Sequence, residues 1–156
     1  MIQFRERVLL DKPAVVILVE SASARTASLE SIPHPALRAQ LQGVLTSGSF
    51  SADKGEIFPV VWEKKIILLA GLGEIKDANP TSLRIVVRQA LLSSYLKKVK
   101  EVEVIFARFE DPFVTAVIEG ILLGTYAWTK YRTVKEKEVA ASDRQYSLAC
   151  EEQPLY

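Results

Sequence analysis

The glycine pair Gly71-Leu72-Gly73 lies between an apolar run and a helical segment, where backbone N–H groups can be presented to a phosphate. The dinucleotide fingerprint needs a third glycine three residues after the second, and that position is Lys76. Gly71 and Gly73 therefore stand only as ligand-turn candidates, beside the simpler reading of a tight turn at a strand end. Glu119 is a lone carboxylate in an apolar helical stretch, with no second carboxylate on that helix to form an acid–base pair. It is expected to bond to backbone or to an arginine. The pairs Glu101/Glu103 and Glu151/Glu152 read as solvated. His34 sits between Pro33 and Pro35 and reads as a surface residue. Ser47, Ser49 and Ser51 match no nucleophile elbow, and Cys150 has no adjacent His or Lys to activate it. One histidine and one cysteine exclude a Cys/His zinc cage and any intramolecular disulfide. From these residues no catalytic, cofactor-binding or metal residue is assigned.

Two further patterns have plain physical readings. Ala116, Gly120 and Gly124 put small residues on one helix face at four-residue spacing, which lets a neighbouring element approach closely. Arg84 and Arg88, then Lys97, Lys98 and Lys100, form a basic stretch, read as a solvated helix end that complements the dipole. The 20 Lys+Arg nearly cancel the 19 Asp+Glu, for a net charge of +1. Nucleic acid and acidic membranes are therefore not expected partners.

The elements that must position these residues alternate along the chain. Residues 2–8 read as a strand with one wet face, and Ala14–Val19 is a β-branched run of the kind buried on both sides. Residues 21–35 read as loop, and Pro35 opens a helix to about Thr46 with an apolar stripe at Leu37, Leu41 and Val44/Leu45. Ile57–Trp62 and Lys65–Ala70 form a hairpin across Glu63-Lys64, a turn lacking the usual Gly or Asn. Asn79 caps a helix from about Pro80 to Lys98. A strand follows at Glu101–Phe106, exposed on one face, then a helix from Pro112 to about Thr129 and a short strand at Gln145–Ala149. The fold class is α/β: three α/β/α layers around a mixed sheet.

Length and composition agree with this. The 156 residues are 49% hydrophobic and 25% charged, enough for one packed domain and too apolar for disorder. Ala14–Val19 is too short for a secretory core, and no run reaches the roughly 18–20 apolar residues of a membrane span. With one unpaired cysteine and no export signal, the expected compartment is the cytoplasm.

Several segments in order resemble the N-terminal domain of the leucyl (cytosol) aminopeptidase family. Ile66-Ile-Leu-Leu-Ala-Gly-Leu-Gly73 is similar to the family's strand ending in Gly-Leu-Gly, and Leu83-Arg84 to the early Leu-Arg of its next helix. Phe50 to Glu56 resembles its Phe…Lys-x-Gly-Glu loop. Glu119-Gly-Ile-Leu-Leu-Gly-Thr-Tyr-Ala-Trp-Thr-Lys-Tyr-Arg132 resembles the end of its last helix. The resemblance covers roughly residues 2–132. It departs where Ser51 or Ala52 replaces a usual glycine, Trp128 a usual Phe and Arg132 a usual Lys.

The resemblance implies a macro-domain-like fold over residues 1–132, with 133–156 an extension or linker towards an absent catalytic domain. In the family that domain holds two divalent metals and the signature Asn-Thr-Asp-Ala-Glu-Gly-Arg, which does not occur in this sequence. No cofactor is therefore expected in this chain. Its implied role is non-catalytic, serving packing, oligomer assembly or regulation. The implied partners are a catalytic aminopeptidase domain or further copies of itself, the family forming hexamers. The alternatives are a small-ligand module for ADP-ribose or a similar nucleotide, and a DNA-binding accessory domain.

Overall fold

The computed structural model describes residues 1–21, 27–74, 79–107, 110–126 and 143–150. Among these residues ten strands and α-helices follow one another: β1 (Ile2–Arg5), β2 (Ala14–Ser21), α1 (Ala27–Glu30), α2 (Pro35–Thr46), β3 (Ile57–Trp62), β4 (Lys65–Glu74), α3 (Pro80–Leu91), β5 (Glu101–Phe106), α4 (Asp111–Thr125) and β6 (Gln145–Cys150), with a 3₁₀ turn at Ser94–Leu96 between α3 and β5. The six strands form one sheet in the order β1-β6-β5-β2-β4-β3. Only β3–β4 is antiparallel; the other four pairings are parallel.

Strand composition follows position. β2 lies between two parallel neighbours and is apolar on both faces. Val16 and Leu18 point into a core shared with Leu68, Leu83, Val87 and Ile121, while Val15 and Ile17 point into one shared with Leu37, Leu41 and Leu69. One face of the sheet thus lies under α3 and α4, the other under α1 and α2, which gives the three expected layers. Proline enters each long helix within its first turn, where its missing N–H costs no bond. The Asn79 side chain accepts from Ser82 N–H at 2.8 Å, capping α3 as its sequence position predicts.

The β3–β4 turn works with unfavourable residues. Glu63 and Lys64 take φ of 44° and 66°, the left-handed values that a two-residue hairpin turn demands and that Asn-Gly fills at lower cost.

Several expectations need correction. β1 stops at Arg5, and a short helix, α1, occupies part of the expected 21–35 loop. α3 ends at Leu91, and a 3₁₀ turn at Ser94–Leu96 replaces its last expected turns. β4 continues through Gly71-Leu72-Gly73 to Glu74, so the glycines belong to a strand rather than to the turn after it. α4 is described to Thr125, and Trp128 and Arg132 lie outside the described residues. β6, the short strand expected near the end of the chain, sits inside the sheet between β1 and β5.

Candidate functional site

Three places merit chemical attention. The first is the glycine pair. Gly71 N–H donates to Glu56 C=O at 2.8 Å, and Gly73 N–H to Ala52 C=O at 3.0 Å. Gly71 C=O in turn accepts from Gly55 N–H at 2.9 Å. Both candidate donors are therefore spent on the 50–56 loop. A Cβ at Gly71 would collide with the backbone carbonyls of Asp53 and Ala52, and Gly73 holds φ of +79°. The glycines let a loop lie against the strand; they do not leave an anion cradle open. Glu56 steadies the same loop by accepting Ser51 N–H at 3.0 Å and Asp53 N–H at 3.2 Å.

The second is the carboxyl edge of the parallel strands. The chain passes from β2 to β4 on one side, and then crosses through α3 to β5 on the other. Such a reversal of strand order is where open α/β sheets hold ligands. A cleft lies there, lined by Glu20 at the end of β2, Leu72 on β4, Asn79 at the start of α3, and Phe106 and Phe113. Its water-sized space is about 10 Å³, room for roughly one water, against the roughly 300–1,000 Å³ of a ligand pocket. The described residues at this edge do not form a nucleotide-sized cavity.

The third place was misread from the sequence. Glu103, expected to be solvated, is 0% exposed in the middle of β5. Its two oxygens accept Leu10 N–H at 2.9 Å and Leu9 N–H at 3.2 Å. Burial pushes its carboxyl above the ordinary value, and these two bonds partly oppose that rise. The nearby charges of Asp11 and Arg5 act in opposite directions, raising and lowering it.

The remaining candidates take structural roles. Glu119 pairs with Arg84 across α4 and α3, as expected of a flanking carboxylate. Gly120 and Gly124 meet Val87 and Leu91 of α3, so the small-residue stripe is a helix contact. His34 is exposed, with its ring 6.4 Å from that of Trp62. The Ser47 hydroxyl bonds Val44 C=O and the Ser49 hydroxyl. The Cys150 thiol is buried and pushed up to about 11. Lys98 and Lys100 are exposed, but they follow the 3₁₀ turn and do not end α3, so the helix-end reading of this stretch does not hold. Among the described residues, no three His, Cys, Asp or Glu side chains converge where a metal could be held. None of the described helices is long and apolar enough to cross a membrane.

Arg144 also escaped sequence reasoning. It is 5% exposed, and its guanidinium donates to Leu91 C=O and Leu96 C=O at 2.8 Å and to Val99 C=O at 3.1 Å. One side chain thus ties the open carbonyl at the end of α3 to those of Leu96, which also accepts Val99 N–H, and Val99. The only signal for Glu103 or Arg144 was a charge beside an apolar strand run, which solvated strand ends share.

Comparison with known proteins adds three findings. Residues 15–135 match the profile of the cytosol aminopeptidase family, N-terminal domain. A probable cytosol aminopeptidase of Protochlamydia amoebophila (strain UWE25) is 28% identical over 112 residues, covering 67% of this chain and 22% of that protein. Among solved structures, a mutant of tomato leucine aminopeptidase aligns over 97% of this chain and 32% of its own, with a TM-score of 0.63 at 16% identity. The bottromycin maturation enzyme BotP in complex with Mn aligns over 92% of this chain and 27% of its own, with a TM-score of 0.57 at 15% identity. The chain thus spans about a fifth of the curated relative and under a third of the two structures, which share its α/β fold.

Proposed function

This chain belongs to the cytosol aminopeptidase family through that family's N-terminal domain, and on this premise we propose that it is a non-catalytic domain of a leucyl-aminopeptidase-like protein. Its work is to pack against a catalytic domain or against further copies of itself, in assembly or regulation. The family match over residues 15–135 carries the reading. The parent chemistry is the metal-dependent release of N-terminal amino acids from peptides, with its two divalent metals held in the catalytic domain.

The distribution of exposed apolar side chains supports a packing role. The layer formed by α3, α4 and the turn after α3 exposes Ile85, Leu92, Tyr95, Leu122, Leu123 and Tyr126. On α2, by contrast, the exposed residues are Pro35, Ala36, Ala39, Gln40, Gln42, Gly43 and Thr46, none of them a large apolar side chain. Met1, Phe4, Leu9 and Val61 are exposed elsewhere, so most but not all of the exposed large apolar side chains gather on this layer, as on a surface that meets protein.

Two measurements test the proposal. The purified chain with added Mn²⁺ or Zn²⁺ should release no leucine from leucyl-p-nitroanilide above the protein-free rate; turnover at enzyme-like rates overturns the non-catalytic reading. Light scattering at high concentration should give a mass above the monomer, and Leu122→Lys with Leu123→Glu should restore the monomer. A clean monomer from the unaltered chain overturns packing against further copies of itself and leaves only the catalytic domain as the surface's partner.

A further inference from the structure

The segment joining β1 to β2, residues 6–13, is held on the sheet by side chains from distant strands. Val8 and Leu10 are buried in the core that includes Val15, Ile105 and Ala149, while Leu9 between them and Asp11 after them face solvent. Glu103 of β5 takes the N–H groups of Leu9 and Leu10. Lys65 of β4 donates to Leu10 C=O. Lys12 bridges Glu101 of β5 at 3.0 Å, and Arg5 of β1 bridges Asp11 at 2.9 Å.

Leu10 is also strained. Its φ of 52° is left-handed, a conformation a leucine keeps only where its surroundings impose it. Both of its backbone polar groups are gripped, the N–H by Glu103 and the C=O by Lys65. Releasing the grip lets Leu10 relax and gives the Glu103 carboxylate water in place of an apolar bed.

We propose that residues 6–13 form a strap that opens from the sheet as a local unit, and that the charge on Glu103 sets how readily it opens. The direction follows from burial. A carboxyl disfavoured as an anion in the closed state is held above its ordinary value there, and returns to that value when the strap opens. Closure is then most stable below the ordinary carboxyl range, and that extra stability is lost as pH rises through the raised value. The charges facing this carboxyl are Arg5 from β1 and Asp11 from the strap. Lys65 reaches the same segment from β4, and Glu101 from β5. From β6, Ser147 sits opposite Glu103 in register, with its buried hydroxyl unpaired. It carries no charge to offset the anion.

Hydrogen exchange across pH tests the strap. After correction for intrinsic rates, protection at Leu9 and Leu10 should fall several-fold as pH rises above the ordinary carboxyl range and through the raised value. Protection at Val16 and Leu68 in the sheet should not follow. Glu103→Gln should abolish that slope, whereas Lys65→Met should lower protection of the strap at every pH and leave the slope in place. A slope that survives Glu103→Gln, or strap amides that exchange only together with the sheet amides, overturns the proposal. If Glu103→Gln does not fold, the Lys65→Met chain decides: a flat profile there overturns it.

Discussion

Gly120 on α4 lies so close to Val87 on α3 that a Cβ at Gly120 would sit 2.8 Å from the Val87 Cβ and 2.9 Å from Arg84 C=O. Two helices that both return from the sheet side by side are thereby brought into backbone contact. Val86, Val87, Ala90 and Leu91 of α3 are all buried.

That contact separates two glycines that look alike in sequence. Gly120→Ala must push backbone apart and should destabilise the chain by about 1–3 kcal/mol, even though alanine favours helix. Gly43 lies inside α2 with nothing near its missing Cβ. Gly43→Ala should stabilise by roughly 0.5–1 kcal/mol. Urea midpoints of the two variants should move in opposite directions.

The β3–β4 turn offers a gain. Glu63 and Lys64 hold left-handed φ values in an exposed hairpin, with no contact that requires their side chains to stay. Replacing them with Asn-Gly should raise stability by about 1 kcal/mol and leave the register from Trp62↔Lys65 to Ile57↔Ala70 unchanged. Thermal unfolding measures the first, and cross-strand NMR contacts the second.

Arg144 should be among the costliest buried residues to replace. Arg144→Met removes a donor from the carbonyls of Leu91, Leu96 and Val99, of which Leu96 C=O keeps Val99 N–H, and should cost about 2–4 kcal/mol. Arg144→Lys should recover little, because an ammonium on a flexible stem cannot match three carbonyls spaced for a planar fork. Chemical denaturation of both variants checks this.

Cys150 reports on opening of the sheet. Its thiol is 5% exposed and pushed up to about 11 by burial, so at pH 8 the folded chain should react with a disulfide reagent only as fast as it unfolds. The sign is that of a group held neutral by burial. Its contribution to stability is complete below the ordinary thiol value and is lost as pH rises through about 11. Full-rate labelling of the native chain at pH 8 would show that β6 leaves the sheet readily.

Much of the architecture was legible in local patterns. Ala14–Val19 announced a strand buried on both faces, Pro35 and Asn79-Pro80 marked helix starts, and Glu63-Lys64 marked the hairpin despite its unfavourable residues. The small-residue stripe correctly implied close packing, because spacing on a helix depends on the chain alone. The order of segments was enough to indicate the family, and the match over residues 15–135 agrees.

What the sequence by itself determined was therefore where most of the longer strands and helices lie and to which family they belong, but not the short helix α1 or the ends of α3 and β4. Tertiary structure alone decided the fate of particular polar groups. Whether Gly71 and Gly73 cradle a ligand or accept a loop depends on where residues 52–56 come to rest. Whether Glu103 is wet depends on the strap that crosses β5, and whether Arg144 is a surface cation depends on β6 entering the sheet beside β5. Periodicity records which side of an element is apolar. It does not record which distant segment will be laid over that side, and burial of a charge is a property of that pairing.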